Sequence, residues 1–402
     1  RLLPERICTS LALSLRKYSF AFSSPSAANR QAAWVAVVPN NGLAYPVDPA
    51  QLKNLLSIRG YTHHYPAEYN IQYGVSLQQE LPGAINLSVG YTGSEGRDMF
   101  LRGVGNVLDP VTRVRPVPTY GQIDFKTGGC VDDVRLAGAY PIGGCGTAKY
   151  DALQVGVTRR FQSGLTGGFN YQYSRNKGTT QGSNEAATAQ NTFDFDSEYG
   201  INPQDIPHTF NGSLVYQIPG QGALTGGWRV GAIVNARSGV PINVTISRPD
   251  NITVNGATVT NIPGGNSRGT QRPDLVPGVN PYLESGGVRW LNPAAFAAPQ
   301  PGTFGNLPRN YLRGPSFAQF DLMVSKDVRF TQSQSLQFRV EVFNIANRLN
   351  YENPATVLPN GAPGVPFTDA QAGTFGYMLG PLNRTVGLGT ARQVQISARY
   401  LF

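Results

Sequence analysis

Residues 392–402 read Arg-Gln-Val-Gln-Ile-Ser-Ala-Arg-Tyr-Leu-Phe, and the apolar members Val394, Ile396, Ala398, Tyr400 and Phe402 alternate with Gln393, Gln395, Ser397 and Arg399. Alternation of period two over this length is a strand with one apolar and one wet face. A terminal strand in a soluble sheet usually frays or carries a tail. One that stops on the aromatic itself has the form of the strand that closes an outer-membrane β-barrel. These five apolar positions are the candidate closing-strand residues, and a barrel is the architecture that the remaining sequence must match.

Composition agrees with a wall of strands. Glycine and proline number 47 and 30 of 402 residues, and charged residues make up 14% against about 25% in ordinary globular domains. No window approaches the roughly 18 consecutive apolar residues of a transmembrane helix. The longest apolar run covers residues 32–38, so a membrane would be crossed by strands. The net charge of +9 arises from a shortage of acids and is scattered, without the basic blocks and interleaved aromatics that track nucleic acid. Nucleic acid is thereby excluded as a partner.

The alternation recurs eight times upstream, in pairs. Residues 69–80 place Tyr69, Ile71, Tyr73, Val75 and Leu77 on one face, and 84–91 follow with Ile85, Leu87, Val89 and Tyr91. Residues 151–161 and 165–174 make a second pair, 208–218 and 228–237 a third, and 317–330 and 335–345 a fourth. Four connections are short, at 81–83, 162–164, 219–227 and 331–334, while the alternating ones at 92–150, 175–207, 238–316 and 346–391 are long. That asymmetry belongs to an outer-membrane barrel, with periplasmic turns and extracellular loops. The other face carries Gln72, Gln154, Asn170, Asn211, Arg229, Arg339, Glu341 and Arg399, a hydrated interior. The fold class is therefore an all-β, antiparallel transmembrane β-barrel. Nine strands of about 11 residues occupy only around 100 positions; the long loops that take up most of the rest are of the kind that is functional or disordered.

Several runs then carry a family resemblance. Asp205-Ile206-Pro207-His208-Thr209-Phe210, Gly227-Trp228, Ser238-Gly239-Val240-Pro241, Arg272-Pro273-Asp274-Leu275-Val276-Pro277-Gly278, Trp290-Leu291-Asn292-Pro293, Arg313-Gly314-Pro315 and Phe338-Arg339-Val340-Glu341-Val342-Phe343-Asn344 follow one another in order. As a set, residues 69–402 resemble the late barrel of TonB-dependent outer-membrane receptors of the Oar-like kind. The resemblance implies a barrel of 22 strands around a plug, with the nine or ten strands here as its C-terminal portion. The chain is accordingly expected to be a fragment without plug, TonB-contacting box or signal peptide. Residues 1–68 match poorly, and residues 11–22 supply either one more strand or a degraded secretion signal.

The same resemblance implies residence in the outer membrane of a Gram-negative-type bacterium and contact with outer-membrane lipid. It implies assembly by the barrel-assembly machinery through the C-terminal strand, and energised uptake by way of the TonB system acting on a plug absent from this chain. The expected ligand is extracellular, a small molecule or peptide: a siderophore, vitamin, oligosaccharide or peptide nutrient. No cofactor is implied. A polar lumen under long loops suits a passive porin or surface adhesin as well, and a soluble β-sandwich binding module is a third reading.

Cys130 and Cys145 enclose 14 residues within one long loop, each preceded by Gly-Gly. In an oxidising extracellular setting they form a possible disulfide, of roughly 3 kcal/mol by the chain-entropy account. Spacing alone leaves two unpaired thiols open as the alternative, and Cys8 has no evident partner. Asp194, Asp196 and Glu198 alternate like a cation cluster but lack the glycine turn of a calcium loop, so a solvated acidic loop is the reading. His63 and His64 are adjacent and His208 stands alone, which leaves no metal site. With three histidines in all, no nucleophile-base pair is arguable, and catalysis is not expected.

Overall fold

Strict alternation leaves the backbone one regular solution, the pleated strand, whose successive side chains point to opposite faces. The structure, a computed structural model, describes residues 59–61, 67–108, 112, 114–115, 122–127, 130–132, 143–180, 188–265, 269–283, 287–383 and 388–402. Among the described residues nine long strands make the wall: β1 (Tyr69–Leu81), β2 (Ile85–Arg97), β3 (Ala148–Gln162), β4 (Leu165–Gly178), β5 (His208–Gln217), β6 (Trp228–Arg237), β7 (Phe317–Arg329), β8 (Ser335–Phe343) and β9 (Gln393–Leu401). They pair antiparallel in sequence order, and the two-residue strand Gly200–Ile201 adds to the end of β4. The sheet is open among the described residues, with β1 and β9 at its edges. The segment 11–22, Cys8, His63 and His64 lie outside the described residues.

The nine strands stand where the alternation places them, and the differences at their ends have physical causes. β2 and β4 run on to Arg97 and Gly178, and β3 starts at Ala148, because ladder hydrogen bonds continue past the point where the apolar alternation stops. β8 ends at Phe343, since Asn344 and Asn347 take φ of 51° and break the ladder. Ser163 and Gly164 link β3 to β4 with φ of 53° and 81°. Positive φ at both central residues is the hairpin turn whose twist matches its strands.

Register keeps the apolar face continuous. Leu87, Val157, Phe169, Gly212, Val234 and Phe320 stand side by side across β2 to β7. On the far side, Leu322 opposes Val342 and Val342 opposes Val394, while Ile396, Ala398 and Tyr400 of β9 face Val340, Phe338 and Leu336. Phe402 follows the strand and stacks on Tyr400 with ring centroids 5.9 Å apart. A one-residue slip would turn the wet face outward. Gly212 leaves no gap in its row, because the Phe169 ring covers it; an added Cβ would sit 2.5 Å from that ring. The inner face is polar, with Arg229 2.8 Å from Asp327 and Arg339 2.6 Å from Glu341.

The hydrophobic core lies above the wall, in the loops. Ile242, Val244, Ile246, Leu291, Phe296 and Leu312 from the β6–β7 loop pack with Leu358, Phe367 and Phe375 from the β8–β9 loop. Each such side chain contributes about 1.5–3 kcal/mol on burial. Two short ladders brace the β6–β7 loop internally, Pro241–Ile242 with Leu312–Arg313 and Asp274–Leu275 with Phe296–Ala297, and a third joins it to the β8–β9 loop, where Thr245–Ile246 runs parallel to Val357–Leu358. The described parts of these loops thus form a packed cap, which no periodicity in the sequence announces.

Candidate functional site in the loop cap

Guanidinium groups bind the cap together. Arg272 makes a bidentate pair with Glu198, with Nη1 and Nη2 donating to Oε2 and Oε1 at 2.7 and 3.0 Å, and both side chains are buried. Gln190 closes the arrangement: its backbone N–H donates to Glu198 at 2.9 Å and its side-chain oxygen accepts from the Arg272 N–H at 2.6 Å. Arg309 donates to the Glu198 carbonyl at 3.0 Å and to Asn202 at 2.9 Å. Arg313 pairs with Asp205. Three arginines of the β6–β7 loop therefore clamp the acids of the β4–β5 loop.

Arg248 is held differently. It donates to the carbonyls of Asn261 and Thr303 at 2.7 and 2.9 Å and to the Asn261 side chain at 3.0 Å. Burial pushes Arg248 and Arg309 down to about 10. The unfolded chain binds more protons than the cap only above that point, so both stay cationic through neutral pH and neither makes the cap pH-sensitive there.

Two clefts open between these elements. One, of about 870 Å³, is lined by Tyr282, Trp290, Arg313, Arg348, Tyr351 and Met378, at the heads of β6, β7 and β8. Tyr282 and Trp290 meet edge to face with centroids 5.8 Å apart. Their polar atoms are both spent on Arg313, the phenol accepting its N–H and the indole donating to its carbonyl, each at 2.8 Å. Burial raises the Tyr282 phenol against the opposing pull of Arg313, so it stays neutral. Arg348 remains exposed and donates to Ser316 at 3.1 Å. The second cleft, about 740 Å³, is walled by Phe193, Val254, Val259, Pro301 and Phe304. Both fall in the size range of ligand pockets, with apolar walls and a few polar groups.

Of the acidic trio, Asp194 and Asp196 are exposed and Glu198 is buried. Asp194 caps the short helix Phe195–Glu198 by accepting from the N–H groups of Asp196 and Ser197 at 3.1 and 3.3 Å. Asp196 accepts from the Cys145 N–H at 3.0 Å, and Glu198 is the buried partner of Arg272. The solvated-loop reading is corrected for Glu198, whose counter-ion lies 74 residues away in sequence. No three His, Cys, Asp or Glu are grouped for a metal among the described residues. His208 accepts or donates at 2.8 Å to the Tyr171 hydroxyl and packs between Tyr171 and Tyr173, on the outward face. The ladder of Cys130–Asp132 with Gly143–Cys145 sets Cys130 opposite Cys145, and Cys145 is disulfide-bonded. In the sequence the cap arginines show only as the Arg-Pro, Arg-Asn and Arg-Gly pairs at 272, 309 and 313, with nothing to mark their buried partners.

An antiparallel wall with a continuous outward apolar face, a polar inner face, short turns at one end and a loop cap at the other defines an outer-membrane β-barrel. The chain belongs to the family described as outer membrane beta barrel domain, whose model matches residues 13–395. Its place is the cell outer membrane. No curated protein matches it. Among solved structures it is similar to the outer membrane transporter YddB from Escherichia coli, at 10% identity and TM-score 0.39, over 86% of this chain and 34% of that one. It is similar also to P. aeruginosa FpvA bound to heterologous pyoverdines (12%, 0.39, 83% and 27%) and to the copper transporter OprC (12%, 0.34, 84% and 32%). The chain thus spans about a third or less of the length of these structures.

Proposed function

We propose that this chain supplies wall and loop cap to a TonB-dependent outer-membrane receptor that takes up a scarce nutrient, and that residues 69–402 are the late barrel of the Oar-like kind. The observation that carries the reading is the cap: loops that only fringe a passive pore have no need of a hydrophobic core, a buried ion-pair clamp and an aromatic cleft of about 870 Å³. In this reading the cleft with Trp290, Tyr282 and Arg348 captures ligand from outside. A plug in the lumen, drawn by the TonB system, then opens a path along the polar inner face. The barrel-assembly machinery would receive β9. A siderophore, vitamin, oligosaccharide or peptide fits the cleft's mixture of aromatic wall and cation.

The test uses the full-length protein in cells with and without a working TonB system, offered a panel of ferric siderophores, cobalamin, oligosaccharides and peptides. Uptake of one member should vanish without TonB and fall at least tenfold in Trp290→Ala. Permeation that is indifferent to TonB would make the wall a passive porin instead.

A further inference from the structure

Charge is sorted unevenly over the inner face of the wall. Register aligns Gln78, Ser88, Gly156, Asn170, Asn211 and Asn235 in one row across β1 to β6. Every member is an amide, a hydroxyl or a glycine. The rows to either side continue the same chemistry, with Gln154 beside Gln172 and Asn86 beside Thr158. Among the described residues, the inner faces of β1 to β5 carry charged side chains only near the turns, where Arg160 lies 3.8 Å from Glu80. Inner-face charges such as Arg229, Asp327, Arg339 and Glu341 stand instead on β6 to β8, already paired with one another.

The amides of the row are not engaged with the rest of the chain. Gln78, Asn170, Asn211 and Asn235 make no side-chain hydrogen bond to another described residue, so each keeps two N–H donors and a carbonyl acceptor free. Gly156 leaves a recess among them: a Cβ there would sit 2.5 Å from Ser88 Oγ and 3.1 Å from Asn170 Oδ1, so these two atoms lean over bare backbone. A charged solute moving along this surface would lose hydration without meeting a counter-charge, which is costly. A sugar hydroxyl both donates and accepts, and one amide can serve two neighbouring hydroxyls at once. We propose that the row from Gln78 to Asn235 is the track along which a neutral oligosaccharide crosses the wall's inner face, so that the nutrient is a carbohydrate without acidic groups. The inference rests on the transport reading above and narrows its ligand classes to one.

The test is uptake by cells making the full-length protein, offered labelled neutral oligosaccharides of glucose, galactose, mannose and xylose beside uronate oligosaccharides of matching length and a ferric siderophore. At least one neutral member should enter tenfold or more faster than every charged one. Asn170→Leu/Asn211→Leu should cut that uptake at least fivefold, while Asn170→Ser/Asn211→Ser, which keeps a donor and an acceptor at each position, should retain most of it. Entry of no neutral member, entry of a charged member at an equal or higher rate, or undiminished uptake in the leucine variant would overturn the proposal. The wild-type comparison decides the matter even if a variant fails to insert. Repeating it without TonB separates the two readings. Neutral selectivity that survives the loss of TonB removes the receptor and keeps the track, whereas TonB-dependent entry of a charged member does the reverse.

Discussion

At the scale of single residues, the Arg272–Glu198 pair is the most exposed to test because it is the most buried. Removing one partner of a buried pair leaves an uncompensated charge and costs about 3–5 kcal/mol, whereas removing both is often nearly neutral. Glu198→Gln should therefore open the cap to limited proteolysis within residues 188–316 while the wall ladder stays protected. Glu198→Leu combined with Arg272→Met should recover part of that resistance; a double variant no better than Glu198→Gln would show that geometry, and not charge, is what the pair supplies. Gly305 tests the same junction sterically. A Cβ there would sit 1.9 Å from the Arg272 carbonyl oxygen, a backbone atom that cannot swing aside. Gly305→Ala should lower the cap's melting temperature and leave the wall intact, as read by circular dichroism with proteolysis.

Among elements, the short ladder of Cys130–Asp132 with Gly143–Cys145 is tied to the β4–β5 loop through the Cys145 N–H and Asp196. We propose that Cys130 is the sulfur partner of Cys145. Non-reducing peptide mass spectrometry should recover the two cysteines in one crosslinked species, and Cys130→Ser should destabilise the loop by roughly 3 kcal/mol; separate peptides would refute the pairing. Elements also show what the sequence made legible. The wall was readable because an apolar face turned outward and a polar face turned inward impose period two, as in Val394, Ile396 and Ala398. The cap was not, because its core residues, such as Ile246, Leu291 and Leu358, come from two-residue ladders and irregular backbone that carry no period. Glu198 looked like a solvated acid because its meaning depends on Arg272, a partner fixed by three-dimensional packing alone.

On the scale of the whole molecule, two cores of different kinds share one chain. The wall is held by a continuous ladder and an apolar face turned outward, the cap by a hydrophobic cluster and buried ion pairs. Hydrogen exchange should separate them, with amides of Ile242, Ile246 and Phe296 opening before those of β4 and β5, since cap and wall are distinct cooperative units. Exchange of both at a single rate would mean one unit. The parallel pairing of Thr245–Ile246 with Val357–Leu358 carries a further consequence. Its two halves are separated in the chain by the whole β7–β8 hairpin, so the contact is of high sequence separation and slow to form. The cap is then expected to close after the β7–β8 hairpin, a local pairing, has found its register. Completion of the cap becomes a built-in report that the wall beneath it was inserted correctly.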